Sequence, residues 1–182
     1  MNDFVIENKM LIKYVGENED VVVPQGITTI GALSFVGRPI KSVSIPEGVV
    51  AIGDNAFYEC AHLTNVVIPK SVKHIGRQAF GYCRNLKNVT IPGSVKRIGE
   101  EAFIGCSALE NLVIQYGVTE IDARCFYQCN ALSEVSIPKS VKWLGYQAFY
   151  MCNQLTKVCL PEKFNKRLED YFGGCTPIIL WK

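Results

Sequence analysis

The sequence predicts a mainly β repeat solenoid: a right-handed coil with a parallel sheet on one face, and short strands or turns and single helical turns on the return path. One observation is size, because 182 residues of which 48% are apolar suffice for one domain with its own core. Another is a period of 23 residues, which the aromatic side chains show at Phe57, Phe80, Phe103, Phe126, Phe149 and Phe172.

The third observation is that other apolar residues keep the same period. The cysteines do so at Cys60, Cys83, Cys106, Cys129, Cys152 and Cys175. The leucines do so at Leu63, Leu86, Leu109, Leu132 and Leu155. A unit of this size is too small to bury its own apolar face, so the units are expected to stack, with each apolar position forming a continuous ladder.

Each unit is expected to contribute one strand to the parallel sheet. In the unit that begins at Leu63, Val66 and Ile68 alternate so that both point inward, and Pro69 then ends the strand. The same reasoning places strands near residues 21–23, 41–45, 64–68, 87–91, 110–114, 133–137, 156–160 and 178–181. At about 4.8 Å between neighbours, these strands would form one sheet roughly 34 Å across.

The return path of each unit contains two further apolar groups. Val72 and Ile75 form a pair that suits a second short strand or a turn. Ala79, Phe80 and Cys83 follow at helical spacing, which predicts a single helical turn that leads the chain back to the next strand.

The two ends depart from the repeat, as caps require. Apolar runs at 4–6 and 10–15 are joined by a polar turn and predict a hairpin that closes the first coil. At the other end an amphipathic segment, 162–170, precedes a last strand whose Trp181 is expected to cover the open end of the core. The chain is interpreted as one solenoid, 1–182, with an N-terminal cap and first coil at 1–39, repeats at 40–161 and a C-terminal cap at 162–182.

Two successive units show the repeat most clearly. Residues 63–83 read LTNVVIPKSVKHIGRQAFGYC, and residues 86–106 read LKNVTIPGSVKRIGEEAFIGC. Over essentially the whole chain this resembles the BspA-like class of leucine-rich repeat, with the pattern L-x-x-V/I-x-I-P-x-S-V-x-x-I-G-x-x-A-F-x-x-C. The resemblance implies a bacterial or protozoan protein, often on the cell surface, that acts in adhesion or in protein–protein interaction. One unit departs from the pattern, with Gln115 for Pro, Asp122 for Gly and Cys125 for Ala.

The cysteine ladder is interpreted as buried free thiols. A tetrahedral zinc site needs four ligands that converge on one point, which residues stacked in a line cannot supply. Parallel side chains would hold the Cβ atoms about 5 Å apart, where a disulfide prefers about 3.8 Å. Cys125 and Cys159 lie outside the ladder, and Cys159, on an outward strand position, is the candidate for a reactive thiol.

No constellation in the sequence indicates an enzyme. There is no glycine-rich phosphate loop and no nucleophile elbow, and the two histidines, His62 and His74, have no recognisable metal or triad partner. We therefore expect a non-catalytic protein without metal or other cofactor.

The outward face of the predicted sheet is the first candidate binding surface. Alternation assigns to it Asn65, Val67, Asn88, Thr90, Asn111, Val113, Glu134 and Ser136. Repeat solenoids bind partners along such extended faces, so a protein partner of unknown identity is the leading hypothesis. The three stacked asparagines either offer hydrogen bonds to that partner or bond only to one another. The protein is expected to be a monomer.

A basic edge is the second candidate surface, and it consists of Lys73, Lys96, Arg97 and Lys142. Between residues 61 and 97 there are seven basic side chains and no acidic ones. Such a stripe suits a glycan or another polyanion. Nucleic acid is a less favoured ligand, because the stripe lacks interleaved aromatic side chains.

The localisation is left as two alternatives. The N-terminus has charged residues where a signal peptide needs an apolar run, and no segment is long and apolar enough to span a membrane. The protein is cytoplasmic if Met1 is native, and it is secreted or on the cell surface if a leader has been removed.

Overall fold

The chain winds into successive coils, most of which contribute one strand to each of two layers. The computed structural model describes residues 3–182. Met1, on which the two localisation alternatives depend, lies with Asn2 outside the described residues.

The strands are short, and the longest has five residues. In chain order they are β1 (Phe4–Glu7), β2 (Met10–Tyr14), β3 (Asp20–Val22), β4 (Thr29–Ile30), β5 (Ser42–Ser44), β6 (Ala51–Ile52), β7 (Asn65–Val67), β8 (His74–Ile75), β9 (Asn88–Ile91), β10 (Arg97–Ile98), β11 (Asn111–Ile114), β12 (Glu120–Ile121), β13 (Glu134–Ser136), β14 (Trp143–Leu144), β15 (Lys157–Leu160) and β16 (Ile178–Trp181). A 3-10 helix spans Glu162–Phe164, and helix α1 spans Leu168–Phe172.

The strands form two parallel layers around the core. The back sheet has eight strands in the order β1-β2-β4-β6-β8-β10-β12-β14, and its β1–β2 pair is the antiparallel hairpin expected at the N-terminus. The front strands form a five-stranded sheet, β11-β9-β7-β5-β3, and a three-stranded sheet, β13-β15-β16. The predicted strand positions are confirmed, but the prediction of one continuous front sheet is wrong, because the ladder is interrupted between β11 and β13.

The interruption occurs at the coil that departs from the repeat. Gln115 stands at the proline position and keeps an N–H, which donates to the Ile91 carbonyl at 3.0 Å. This bond prolongs the pairing of β11 with β9, which extends to Ile114. On the other side of the gap, directly after β13, the N–H of Ile137 donates to the Cys159 carbonyl of β15 at 2.9 Å. Each side of the gap is thus bonded away from it.

The return path contains hydrogen-bonded turns where single helical turns were predicted. In the coils before α1, each turn around a ladder phenylalanine has residues in the left-handed region, such as Gln78 (φ 51°) and Tyr82 (φ 57°) on either side of Phe80, whereas Phe172 ends a short helix. The N–H of Phe80 donates to the Ala102 carbonyl of the next coil at 2.8 Å. Left-handed residues aim these amides along the solenoid axis, so the turns form a third set of bonds between coils.

The core is built from the predicted ladders. The rings of the six periodic phenylalanines and of Phe35 stack with centroids 4.8–5.6 Å apart. Beside them, each ladder thiol donates to the carbonyl of a phenylalanine in the preceding coil, as Cys106 Sγ does to Phe80 O at 3.2 Å. All eight cysteines lie within the described residues and are free.

The C-terminal end is closed by different residues from the one predicted. Trp181 is 44% exposed and does not cover the core. Phe164 and Tyr171, each 6% exposed, pack there instead with their rings 6.0 Å apart. The 3-10 helix and α1 bring these two rings together, which a strand at the sheet edge cannot do.

Candidate protein-interaction surface

The outward side of the front strands, here called the sheet face, combines short polar side chains with exposed valines. In β7, Val66 is 6% exposed and points inward, whereas Val67 is 75% exposed and points outward. Val22 and Val113 are 73% and 51% exposed on the same face. Val22, Val67 and Val113 occupy the same strand position on alternate coils, so apolar side chains recur along an otherwise polar face.

The three stacked asparagines bond to one another. Asn88 Nδ2 donates to Asn65 Oδ1 at 3.2 Å, and Asn111 Nδ2 donates to Asn88 Oδ1 at 2.8 Å. Asn65 Nδ2 also donates to Thr64 Oγ1 at 3.3 Å. An amide group has two N–H donors and two acceptor lone pairs, so each asparagine keeps further hydrogen-bonding capacity after the ladder bond is made.

Charged groups dominate the sheet face beyond the gap. Glu134 and Lys157 form an exposed ion pair with Nζ and Oε2 3.6 Å apart. Lys182 Nζ donates to Ser136 Oγ at 2.8 Å. The two parts of the sheet face therefore differ in chemistry, with neutral amides before the gap and charges after it.

The sheet face contains two clefts. The first, here called the β7–β9 cleft, has a volume of about 430 Å³ and lies where β7 and β9 pair only through Asn65 and Asn88. Val67, Thr90 and Lys70 are among its lining residues. The second, here called the β13 cleft, has a volume of about 270 Å³ and is lined by Leu112, Glu134, Val135, Ser136, Lys157 and Cys159. Sequence reasoning missed both clefts, because each depends on where neighbouring strands separate.

The predicted basic edge is only partly available to a ligand. Arg97 Nε donates to Asp122 Oδ2 at 2.7 Å, and this hydrogen bond and the neighbouring negative charge raise the pKa of Arg97. Lys96 Nζ donates to two glycine carbonyls. Within residues 3–182, Lys73 and Lys142 have no carboxylate within ion-pair distance. The edge is thus a mixed surface rather than a continuous positive stripe.

Asp122 and Glu101, both nearly buried, serve as structural partners of arginine. The carboxylate of Glu101 lies 3.2 Å from Arg77 Nη2 and 3.7 Å from Arg124 Nη1, on the coils before and after it. Gln78 Nε2 also donates to Glu101 at 2.9 Å. These acids connect neighbouring coils, and an arginine bound in this way is less free to hold a ligand.

The cysteine thiols are held in their neutral form by burial. Burial raises the pKa of Cys106 to about 12 and that of Cys125 and Cys129 well above its usual range. Cys159 is only partly buried and lines the β13 cleft. Among the described residues, no group of three or more His, Cys, Asp or Glu side chains is arranged to hold a metal ion.

No helix in the described part of the chain has the length and apolar character needed to cross a membrane.

Comparison with solved structures identifies several similar proteins. A leucine rich cell surface protein from Faecalibacterium prausnitzii matches with a TM-score of 0.69 and 25% identity, over 85% of this chain and 52% of that chain. The leucine rich repeat protein of T. pallidum matches with a TM-score of 0.66 and 25% identity, over 98% of this chain and 82% of that chain. The pneumococcal vaccine antigen PcpA shares the fold, with a TM-score of 0.71 and 19% identity, over 87% of this chain and 48% of that chain. The chain thus spans about half the length of the first of these proteins.

The comparison with curated proteins returned no match. The family model of the BspA type leucine rich repeat region matches in six copies, over residues 6–116 and 73–180. Proteins built from these repeats are generally protein-interaction or surface-adhesion modules, and they are typically non-catalytic. With its ladders, its two parallel layers and these matches, the chain belongs to the BspA type leucine rich repeat family.

Proposed function

We propose that this chain is a non-catalytic module that binds a protein partner on its sheet face. The residues that would contact the partner are Asn65, Val67, Asn88, Thr90, Asn111, Val113, Glu134 and Ser136. The observation that carries the proposal is the exposure of Val67, at 75%, among the short polar side chains of the sheet face before the gap. A partner that covers these valines gains hydrophobic free energy, and the amides beside them supply directional hydrogen bonds.

A role in adhesion or host interaction fits the same surface. The F. prausnitzii protein, which is 25% identical, is described as a cell surface protein. That likeness supports the proposal of a partner outside the cell, on a host or neighbouring cell or in its matrix. Before the gap, the sheet face consists mainly of short side chains on paired strands, so little side-chain entropy is lost when this part is covered.

The alternative proposal is a glycan or polyanion ligand on the basic edge of Lys73, Lys96, Arg97 and Lys142. It has less support, because Arg97 Nε already donates to Asp122 Oδ2 and also lies 3.8 Å from Glu120 Oε2. Retention on immobilised heparin that weakens as the salt concentration is raised would favour this alternative, since added salt screens contacts between surface charges. Retention that does not respond to salt, or no retention, would remove it.

The test compares arginine substitutions on and off the sheet face. The double variant Asn88→Arg and Asn111→Arg places two long charged side chains on the face. The matched control, Asn85→Arg and Asn153→Arg, makes the same chemical change at exposed positions in the turns before the strands. Immobilised proteins are used to capture ligands from cell-surface extracts and from extracellular-matrix proteins, and the captured species are identified by mass spectrometry.

We expect the unmodified chain and the control to retain the same partner and the sheet-face variant to lose it. Thermal unfolding of all three proteins establishes that each is folded. Equal retention by the sheet-face variant would contradict the proposal.

A further inference from the structure

The two clefts lie on one face, and their separation can be estimated from the strand order. The front strands β7, β9, β11, β13 and β15 follow one another, with β7 and β9 flanking the first cleft and β13 central to the second. The distance from the middle of the β7–β9 cleft to β13 is two and a half strand spacings, or about 12 Å. A ligand that fills both clefts must cross the strands.

Both clefts are lined at their base by apolar core residues, which are at most 8% exposed. Val66 and Ile68, which otherwise belong to the core, line the β7–β9 cleft. Leu112, also a core residue, lines the β13 cleft at the gap after β11. The β9–β11 pair between the clefts is regular over four residues and offers a flat surface.

An extended peptide has the dimensions to reach both clefts. It rises about 3.3 Å per residue, and its side chains alternate between the two sides, so two side chains that face the sheet are separated by an even number of residues. A separation of two residues spans about 7 Å and is too short, whereas a separation of four spans about 13 Å and fits.

The charges around the two clefts determine which kind of peptide side chain each cleft would accept, here called its anchor. In the β7–β9 cleft the carboxylate of Glu47 already accepts the N–H groups of Lys70 and Ser71, which makes the apolar floor the main attraction. At the β13 cleft, Lys157 pairs with Glu134, the one carboxylate among the lining residues, and Lys182 Nζ donates to Ser136 Oγ. An incoming carboxylate therefore meets a net positive charge there.

From these observations we infer that the partner presents an extended peptide segment, with an apolar side chain for the β7–β9 cleft and an aspartate or glutamate four residues away for the β13 cleft. This inference rests on the proposed function, because it specifies the partner of the same sheet face. The peptide crosses β9 and β11 roughly at right angles to the strands. Its backbone lies over the asparagine ladder, whose free amide groups can bond to it.

The experiment begins with a random library of 12-residue peptides displayed on phage, selected on the full chain. We expect the selected sequences to share an apolar residue and an acidic residue separated by four positions. Synthetic versions of one selected peptide, with one residue inserted or deleted between the anchors, should bind at least about tenfold more weakly by fluorescence anisotropy.

Variants of the protein test each cleft separately. Thr90→Trp fills the β7–β9 cleft and Ser136→Glu adds a negative charge to the β13 cleft, and each should weaken peptide binding at least about tenfold. The matched controls, Ser44→Trp and Ser44→Glu, lie on β5, outside both clefts, and should change affinity less than about twofold. The three positions changed in these four variants are exposed, and thermal unfolding establishes that each variant is folded.

Selected peptides without a fixed spacing, or with affinities that neither Thr90→Trp nor Ser136→Glu lowers, would overturn the inference. If a folded partner is captured and lost with Asn88→Arg and Asn111→Arg, while no peptide is selected, the inference fails and the proposed function stands. If neither peptide nor protein binds the sheet face, both fail.

Discussion

Single cysteine residues in this protein act as small apolar side chains rather than as reactive groups. Cys106 is completely buried, and its thiol donates to the Phe80 carbonyl. The thiolate form would lose both water and this hydrogen bond, which is why burial raises its pKa to about 12. Eight cysteines in one sequence suggest redox chemistry, but the buried thiols of this protein serve in packing.

The raised thiol pKa makes stability depend on pH above neutrality. An unfolded cysteine ionises near pH 8.5, whereas Cys106 in the folded chain remains neutral up to about pH 12. The stabilisation is thus fully present below about pH 8.5 and is lost as the pH rises toward 12. We expect the free energy of unfolding, measured with urea, to fall between pH 9 and 11. The slope should be smaller in Cys106→Ala, and the difference between the two slopes should be about 1.4 kcal/mol per pH unit.

Ser107→Ala, one residue along and more exposed, serves as the control and should follow the same pH dependence as the unmodified chain. Parallel curves for Cys106→Ala and the unmodified chain would show that the thiol is not kept neutral by folding. Titration of all other groups is common to the three proteins and cancels in the comparison.

At the scale of single elements, the turns around the ladder phenylalanines are the part of the fold under most backbone strain. Gln128, two residues after Phe126, has φ 59°, a region that costs a non-glycine residue free energy. The equivalent positions one coil before and two coils after are Gly105 and Gly174, with φ 67° and 81°. The turn thus has a conformational requirement that glycine meets without strain.

We expect Gln128→Gly to raise the free energy of unfolding by about 0.5–1 kcal/mol, because relief of the left-handed strain exceeds the added entropy of the unfolded chain. Gln154→Gly is the matched control, at an exposed residue whose φ is not positive, and it should lower stability by a similar amount. Chemical denaturation of the three proteins measures the difference. A loss of stability in Gln128→Gly equal to that of the control would contradict this account of the turn.

The repeat was sufficient to predict the strands and their outward residues, because a ladder position is seen many times in one sequence. The turns could not be predicted from it, since the spacing of Phe80 and Cys83 suits a helical turn and a strained turn equally well. The front-sheet gap and the two clefts depend on where neighbouring strands separate. Sequence alternation identified the sheet face but carried no information about these local geometries.

At the scale of the whole molecule, aromatic stacking runs from one end of the solenoid to the other. It begins with Phe4 and Tyr14, 5.3 Å apart, and ends with Phe149 and Phe172, 5.6 Å apart. Because each coil touches only its neighbours, stability is approximately a sum of coil and interface terms. A change in the middle of the stack therefore affects two interfaces, and a change at its end affects one.

Phe103→Ala should lower the free energy of unfolding by about 3–5 kcal/mol, since a fully buried ring with two stacked neighbours is removed from a rigid core. Phe172→Ala, which loses one stacked neighbour at the end of the ladder, should cost less. Hydrogen exchange should become faster in coils on both sides of Phe103→Ala but only near the C-terminal end in Phe172→Ala. Equal losses, or exchange that increases uniformly along the chain, would show that the solenoid responds as one unit.

The interruption of the front ladder between β11 and β13 also affects how the solenoid resists bending. Behind the gap, β12 pairs with β10 and β14, and the rings of Phe103 and Phe126 remain stacked 5.4 Å apart. Strand pairing in the back sheet and ring stacking in the core thus connect the two coils, whereas no backbone bond joins β11 to β13 on the front. Bending that widens the front would therefore meet least resistance along this line, with the back sheet as its pivot. Such bending would change the curvature of the sheet face while the back strands stay paired.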